Sequence, residues 1–299
     1  MAALDNFVLD YFVVDVFSAT ALQGNPLAVV MNTIGLTTDR MQAIAREFNL
    51  SETTFVERRA PDVEAAEGVR VRIFTTQEEL DFAGHPTLGT ASVLRISDPS
   101  SLNGDTVTLR LNVGPVPVRF PGEELFGEMT QPDPSFGETL DPAKVAELIG
   151  LNVADLDPAL PPAVVSTGNP FAIVALSSAA SLARLSVRHQ EATTWLRAYG
   201  ARWFYVLGPT GTTEPDYRAR MQFNGGEDPA TGSAAGCAIA YLVQKGAVAP
   251  GRRIHLRQGI EIERPSDLFL SAEMQSARVT GVRVAGSTVL VAKGQLFLP

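Results

Sequence analysis

The 299-residue sequence is short of the side chains on which many chemistries depend: it holds one cysteine, Cys237, and three histidines. A single thiol excludes an intramolecular disulfide and a cysteine-based zinc site, and it fits a reducing, cytoplasmic setting. The histidines are scattered without metal-ligand spacing. Lys and Arg number 24 against 33 Asp and Glu, giving a net charge of −9. With no basic cluster, the footprint of a nucleic-acid or anionic-membrane partner is missing. No long apolar run occurs either: the stretch from Pro170 to Ala183 is broken by Ser177, Ser178 and Ser181 and is too short to cross a bilayer. Asp5 and Asp10 stand where a secretion signal carries positive charge. The phosphate loop, the dinucleotide glycine fingerprint and the His-Glu-x-x-His pair are all absent. Neither a cofactor nor a metal is expected.

What is there occurs twice. Gly24-Asn25-Pro26-Leu27-Ala28-Val29-Val30 returns as Gly168-Asn169-Pro170-Phe171-Ala172-Ile173-Val174, an offset of 144 (168 − 24). Arg70-Val71-Arg72 returns as Arg218-Ala219-Arg220, Glu79 as Glu227, and Gly84-His85 as Gly232-Ser233, at an offset of 148 (232 − 84). Nearly constant spacing predicts two similar halves, 1–127 and 128–299, with room for the final strand to return to the first half. Two such halves are expected to enclose one cleft. Matched positions that differ are then where the chemistry is specialised.

Local patterns predict a strand-rich fold. Strands are expected over Tyr11–Phe17, Leu27–Met31, Thr53–Glu57, Val69–Phe74, Val107–Leu111 and Val116–Phe120, and the region from Ile254 to Leu298, including Ile260–Glu263, reads as strand and turn. Thr38 is placed as the cap of a helix whose apolar Met41, Ile44, Ala45 and Phe48 share one face. Further helices are expected over Pro142–Ile149 and around Trp195–Tyr199. Glu123 and Glu124, between Gly122 and Gly127, suit a linker. Two segments stand apart: Pro86–Leu94 and Ala234–Leu242 are small-residue helices with almost no charge. A helix with no polar face must be enclosed by protein, which predicts one central helix inside a curved sheet in each half.

The candidate chemistry lies at the starts of those helices. A helix beginning at Gly84-His85 or Gly232-Ser233 directs unsatisfied N–H groups and a positive dipole end outward, a setting for a carboxylate or an oxyanion. Glycines there also serve simple close packing. Glu52 precedes a strand, and aligning Phe55-Val56 with Tyr205-Val206 sets it opposite Arg202, so one half alone supplies an acid. Most glutamates are solvated surface charges; beside an anion site this one can act as general base and then general acid. Asp228 stands ahead of the second helix, suited to a helix-entry hydrogen bond, to contact with a substrate amine or hydroxyl, or to orienting His85. His85 at a helix start is expected to be held neutral by the dipole, whereas His189 and His255 lie in structural contexts.

At these residues the sequence resembles the phenazine-biosynthesis PhzF-like family, relatives in fold of diaminopimelate epimerase. Four motifs in order carry the resemblance: Val14-Asp15-Val16-Phe17 with Gly24-Asn25-Pro26; Asn49-Leu50-Ser51-Glu52-Thr53; Arg72-Ile73-Phe74-Thr75 leading to Phe82-Ala83-Gly84-His85-Pro86-Thr87; and Glu227-Asp228-Pro229-Ala230-Thr231-Gly232-Ser233-Ala234. The resemblance implies an α+β fold of two pseudo-symmetric halves, each a mostly antiparallel sheet around a central helix, in a cofactor-free homodimer. It implies Glu52 as the acid/base, His85 and Asp228 as catalytic polar groups contacting substrate, and Gly84, Gly232 and Ser233 as carboxylate-binding helix starts. The reaction implied is isomerisation of trans-2,3-dihydro-3-hydroxyanthranilate. The open alternatives are an isomerase or epimerase of another small amino or hydroxy acid, and a non-catalytic small-acid binding protein. The epimerase relatives place a cysteine at each helix start; His85 and Ser233 stand there here, which argues against two-thiol racemisation.

Overall fold

A computed structural model describes residues 7–122, 124–212, 214–223 and 226–298. The chain divides into two compact units, Met1–Met129 with Ser287–Pro299, and Thr130–Gly286.

The first unit runs β1 (Phe7–Val16), β2 (Asn25–Val30), α1 (Thr38–Phe48), β3 (Glu52–Glu57), α2 (Pro61–Glu67), β4 (Val69–Phe74), β5 (Glu79–Leu80), α3 (Gly84–Ser97), β6 (Leu102–Asn103), β7 (Thr106–Leu111), β8 (Gly114–Arg119) and β9 (Phe126–Thr130). β1 pairs antiparallel with β2, β2 parallel with β3, β3 antiparallel with β4, β4 parallel with β7, and β7 antiparallel with β8. α3 packs against both β1 and β8, the two ends of that order, so the sheet curves around it. Every residue of α3 from Gly84 to Leu94 is buried, as the missing polar face requires. At Gly89 an added Cβ would lie 2.6 Å from Leu27 Cδ2 and 2.7 Å from Val16 Cγ2. The small residues of α3 therefore let the sheet close in.

The second unit runs β10 (Ser135–Thr139), α4 (Pro142–Ile149), β11 (Ala163–Ser166), β12 (Pro170–Ala175), α5 (His189–Leu196), β13 (Phe204–Pro209), β14 (Tyr217–Arg220), β15 (Gln222–Phe223), β16 (Gly226–Glu227), α6 (Gly232–Gln244), β17 (Ile254–Gln258) and β18 (Ser266–Gln275). From β11 the pairings repeat those of the first unit: antiparallel to β12, parallel to β13, antiparallel to β14, parallel to β17, antiparallel to β18. α6 is buried from Gly232 to Val243 and packs on β11, β12 and β18. The last strand, β19 (Arg278–Leu298), starts against β18 and ends against β1. The repeated Arg and Glu positions form one ion pair in each unit. Arg72 and Glu79 meet through two contacts, of 2.8 and 2.5 Å, and Arg220 and Glu227 through two of 2.9 and 2.5 Å.

Several local expectations shift. The cap of α1 is Thr37, whose hydroxyl accepts from the Arg40 N–H, with Thr38 already helical; Asn49 closes the helix in the left-handed conformation. Residues Ile260–Ile262 form a 3-10 turn between αL residues Gly259 and Glu263 instead of extending a strand. The helix expected around Trp195–Tyr199 begins earlier, at His189, and only its last three residues, Arg197–Tyr199, are a 3-10 turn. Gly127, one end of the expected linker, lies in β9; Glu123 is outside the described residues. α2 carries no buried residue, so no apolar stripe announces it. Among the described residues, no helix is long and apolar enough to cross a membrane.

Candidate functional site

Three neighbouring elements of the first unit bring Asn25, Glu52 and His85 together. Parallel pairing of β2 with β3 puts Leu27 opposite Glu52, the first residue of β3. His85 is the second residue of α3, whose preceding residue, Ala83, supplies no side-chain cap. The Nε2 atom of His85 stands 3.4 Å from Oε2 of Glu52. On the other edge of the ring, Asn25 Nδ2 donates to His85 Nδ1 over 3.1 Å. The imidazole is 4% exposed and the Glu52 side chain 16%, with Oε2 itself buried.

Burial holds the His85 imidazole well below its ordinary range, at about 3. Desolvation in the buried pocket penalises the charged imidazolium. His85 is thus neutral, as the sequence predicts, with burial as the cause. A neutral imidazole is an N–H donor that neither adds nor removes charge beside a working carboxylate.

In the second unit, Asp228 precedes α6. Its Oδ2 accepts from Thr231 Oγ1 at 2.7 Å, the helix-entry hydrogen bond. Gln258 braces this loop from β17. Its amide nitrogen donates to Asp228 O at 2.7 Å and to Thr231 Oγ1 at 3.0 Å, while its amide oxygen accepts from Thr231 N at 3.1 Å and from Tyr205 OH at 3.0 Å. Burial, and then the charge of Asp228, push the Tyr205 phenol well above its usual range, so it stays a donor. No sequence motif marks Gln258, and Tyr205 stands out in the sequence only as the counterpart of Phe55. Asn25 stands out in the sequence only within the repeated Gly-Asn-Pro motif.

Gly232 opens α6 and Ser233 follows it, and neither helix start has a side-chain cap on its first N–H groups. Gln131 Nε2 donates to Gly232 O at 2.9 Å, and Gln131 Oε1 accepts from Thr167 Oγ1 at 2.6 Å, which ties down the first turn of α6. The strand register revises one pairing. Ala28 lies opposite Thr53 and its counterpart Ala172 opposite Phe204, so Glu52 matches Trp203, one residue beyond Arg202. The asymmetry is unchanged, since neither Trp203 nor Arg202 supplies an acid.

Cys237 is buried one turn inside α6, with its thiol 3.4 Å from Thr167 Oγ1. Burial pushes it up to about 11, so it is no proton carrier near neutrality. Among the described residues, no group of three or more His, Cys, Asp or Glu could hold a metal ion.

A family model described as phenazine biosynthesis-like protein matches residues 14–294. The chain is 35% identical, over 96% of its length and 99% of the relative's, to a trans-2,3-dihydro-3-hydroxyanthranilate isomerase of Pseudomonas aeruginosa. It is 34% identical to an uncharacterized isomerase of Mesorhizobium japonicum, over 97% of this chain and 99% of that one. A Bacillus anthracis phenazine biosynthesis protein of the PhzF family superposes with a TM-score of 0.85 at 26% identity, over 98% of this chain and all of that one. A hydroxyproline epimerase from Agrobacterium vitis shares the fold at 12% identity, with a TM-score of 0.63 over 97% of this chain and 93% of that one. By sequence and by fold, the chain belongs to the phenazine biosynthesis-like, or PhzF-like, family of isomerases.

Proposed function

We propose that this protein isomerises trans-2,3-dihydro-3-hydroxyanthranilate by moving one proton within the substrate, with Glu52 as the carrier. The observation that carries the reading is the Glu52 carboxylate beside a buried, neutral imidazole. The 35% identity to an isomerase of that substrate supports it.

In this reading the Glu52 carboxylate takes the proton from C3 of the ring, and the C–H electron pair enters the ring double bonds. The same carboxyl group, now the acid, returns the proton to another ring carbon, and the enol left at C3 becomes a ketone as its hydroxyl proton leaves to solvent and a proton adds at the adjacent ring carbon. His85 Nε2 faces the carboxylate at 3.4 Å through both halves of the transfer. Asp228 contacts the substrate amine or hydroxyl. Gly84, Gly232 and Ser233, at uncapped helix starts, bind its carboxylate. A homodimer in the cytoplasm, with no bound cofactor, belongs to the same reading. A Pseudomonas aeruginosa structure named a predicted epimerase, 35% identical with a TM-score of 0.82 over 97% of this chain and all of that one, favours a second reading. That reading is an isomerase or epimerase of another small amino or hydroxy acid; the buried Cys237 argues against thiol chemistry in it.

Incubating the protein with trans-2,3-dihydro-3-hydroxyanthranilate and following absorbance and NMR tests the assignment. Conversion to the ketone is expected. Absence of turnover, with tight binding of a different amino acid, overturns it.

A further inference from the structure

The two Gly-Asn-Pro turns are the same in sequence and different in use. Asn25 is fully buried, 0% exposed, whereas its repeat Asn169 is only half-buried. The difference follows the partner helices: α3 offers His85 at its second residue, where α6 offers Ser233. Asn25 cannot easily move away. Gly24 before it is in the left-handed region at φ 73°, a Cβ there would lie 2.4 Å from Val16 O, and Asn25 itself is in register with Val16 in the β1–β2 pair.

An amide nitrogen only donates. Asn25 Nδ2 aimed at His85 Nδ1 over 3.1 Å therefore keeps a lone pair on Nδ1 and leaves the ring proton on Nε2, the atom 3.4 Å from Glu52 Oε2. We propose that Asn25 is a positioning residue that fixes the tautomer of His85, so that a permanent Nε2–H faces the Glu52 carboxylate. Without that donor the ring could carry its proton on Nδ1 and turn a lone pair toward the carboxylate, which repels it. The inference rests on Glu52 being the proton carrier, yet the tautomer can be read without any substrate.

Long-range 1H–15N spectra of 15N-histidine-labelled protein, with His85 assigned by its loss in His85→Gln, give the protonation of each ring nitrogen. In the wild type, Nε2 of His85 is expected protonated and Nδ1 not. A proton on Nδ1 overturns the proposal and leaves the isomerase reading standing. In Asn25→Asp, which puts an acceptor of the same shape against Nδ1, the proton is expected on Nδ1. The kcat is expected to fall about 10- to 100-fold, as when an orienting partner of a histidine is lost, with KM within about twofold. Wild-type kcat in a folded Asn25→Asp also overturns the proposal. Should that variant fail to fold, the wild-type spectrum decides. Should the protein not turn over the substrate at all, the isomerase reading falls while the tautomer is still measured.

Discussion

Glu52 Oε2 and His85 Nε2 lie 3.4 Å apart in the first unit, a carboxylate beside a buried imidazole that stays neutral. The first consequence is a pH dependence of stability. Unfolded, the imidazole titrates in its ordinary range near 6.5; folded, it titrates at about 3. Between those values the unfolded chain binds more protons, so this contribution is complete above pH 6.5 and is lost as pH falls toward 3, by about 1.4 kcal/mol per pH unit. Thermal melts of the wild type and His85→Gln at pH 7, 6, 5 and 4 check this. The wild-type Tm should fall more steeply than that of the variant, and parallel curves would deny a buried neutral His85.

Asp228 combines a loop hydrogen bond with a proposed contact to substrate. Asp228→Asn keeps an oxygen able to accept from Thr231 Oγ1 and removes the charge. Turnover should therefore fall by about tenfold or more, with the melting temperature within a few degrees of the wild type. Normal rates would remove Asp228 from the site.

The thiol of Cys237, raised to about 11 by burial, should not react with a thiol reagent in the native protein at pH 8 and should react once denatured. Cys237→Ala should keep activity within about twofold, because no step uses the thiol. Inactivation by that change, in a folded variant, would reopen cysteine chemistry.

Gly236 is a packing requirement of α6. A Cβ there would lie 1.8 Å from Gln131 Oε1, and Gln131 is itself held by Gly232 and Thr167. Gly236→Ala should cost at least about 1–3 kcal/mol by chemical denaturation. Gly122→Ala, with nothing within 4 Å, should be close to neutral.

Much of this was legible in the sequence because the duplicated motifs report backbone topology. The repeat of Gly24-Asn25-Pro26 at Gly168 marks matching antiparallel-then-parallel pairings, β1–β2–β3 and β11–β12–β13. The chargeless stretches after Gly84 and Gly232 could only be enclosed helices, and both are buried over nearly their full length. Polar networks were less legible. Gln258 braces Asp228 from β17, 30 residues away, through an amide that no motif distinguishes from a surface glutamine. The one-residue slip from Arg202 to Trp203 shows the same limit, since side-chain similarity between Phe55 and Tyr205 does not fix strand register. Asn25 stood in plain view within a turn motif, but its use depends on burial, which the identical Asn169 does not share.

The most direct test of the proton-carrier role is conversion of trans-2,3-dihydro-3-hydroxyanthranilate in D2O by the wild type and by Glu52→Gln, read by NMR for both rate and deuterium in the product. A deuterium-bearing ketone is expected from the wild type, the label entering as the Glu52 carboxyl exchanges with solvent and as the enol ketonises, and a rate lower by about 10²- to 10⁴-fold is expected in a folded Glu52→Gln. Conversion and labelling by Glu52→Gln at the wild-type rate would contradict that role.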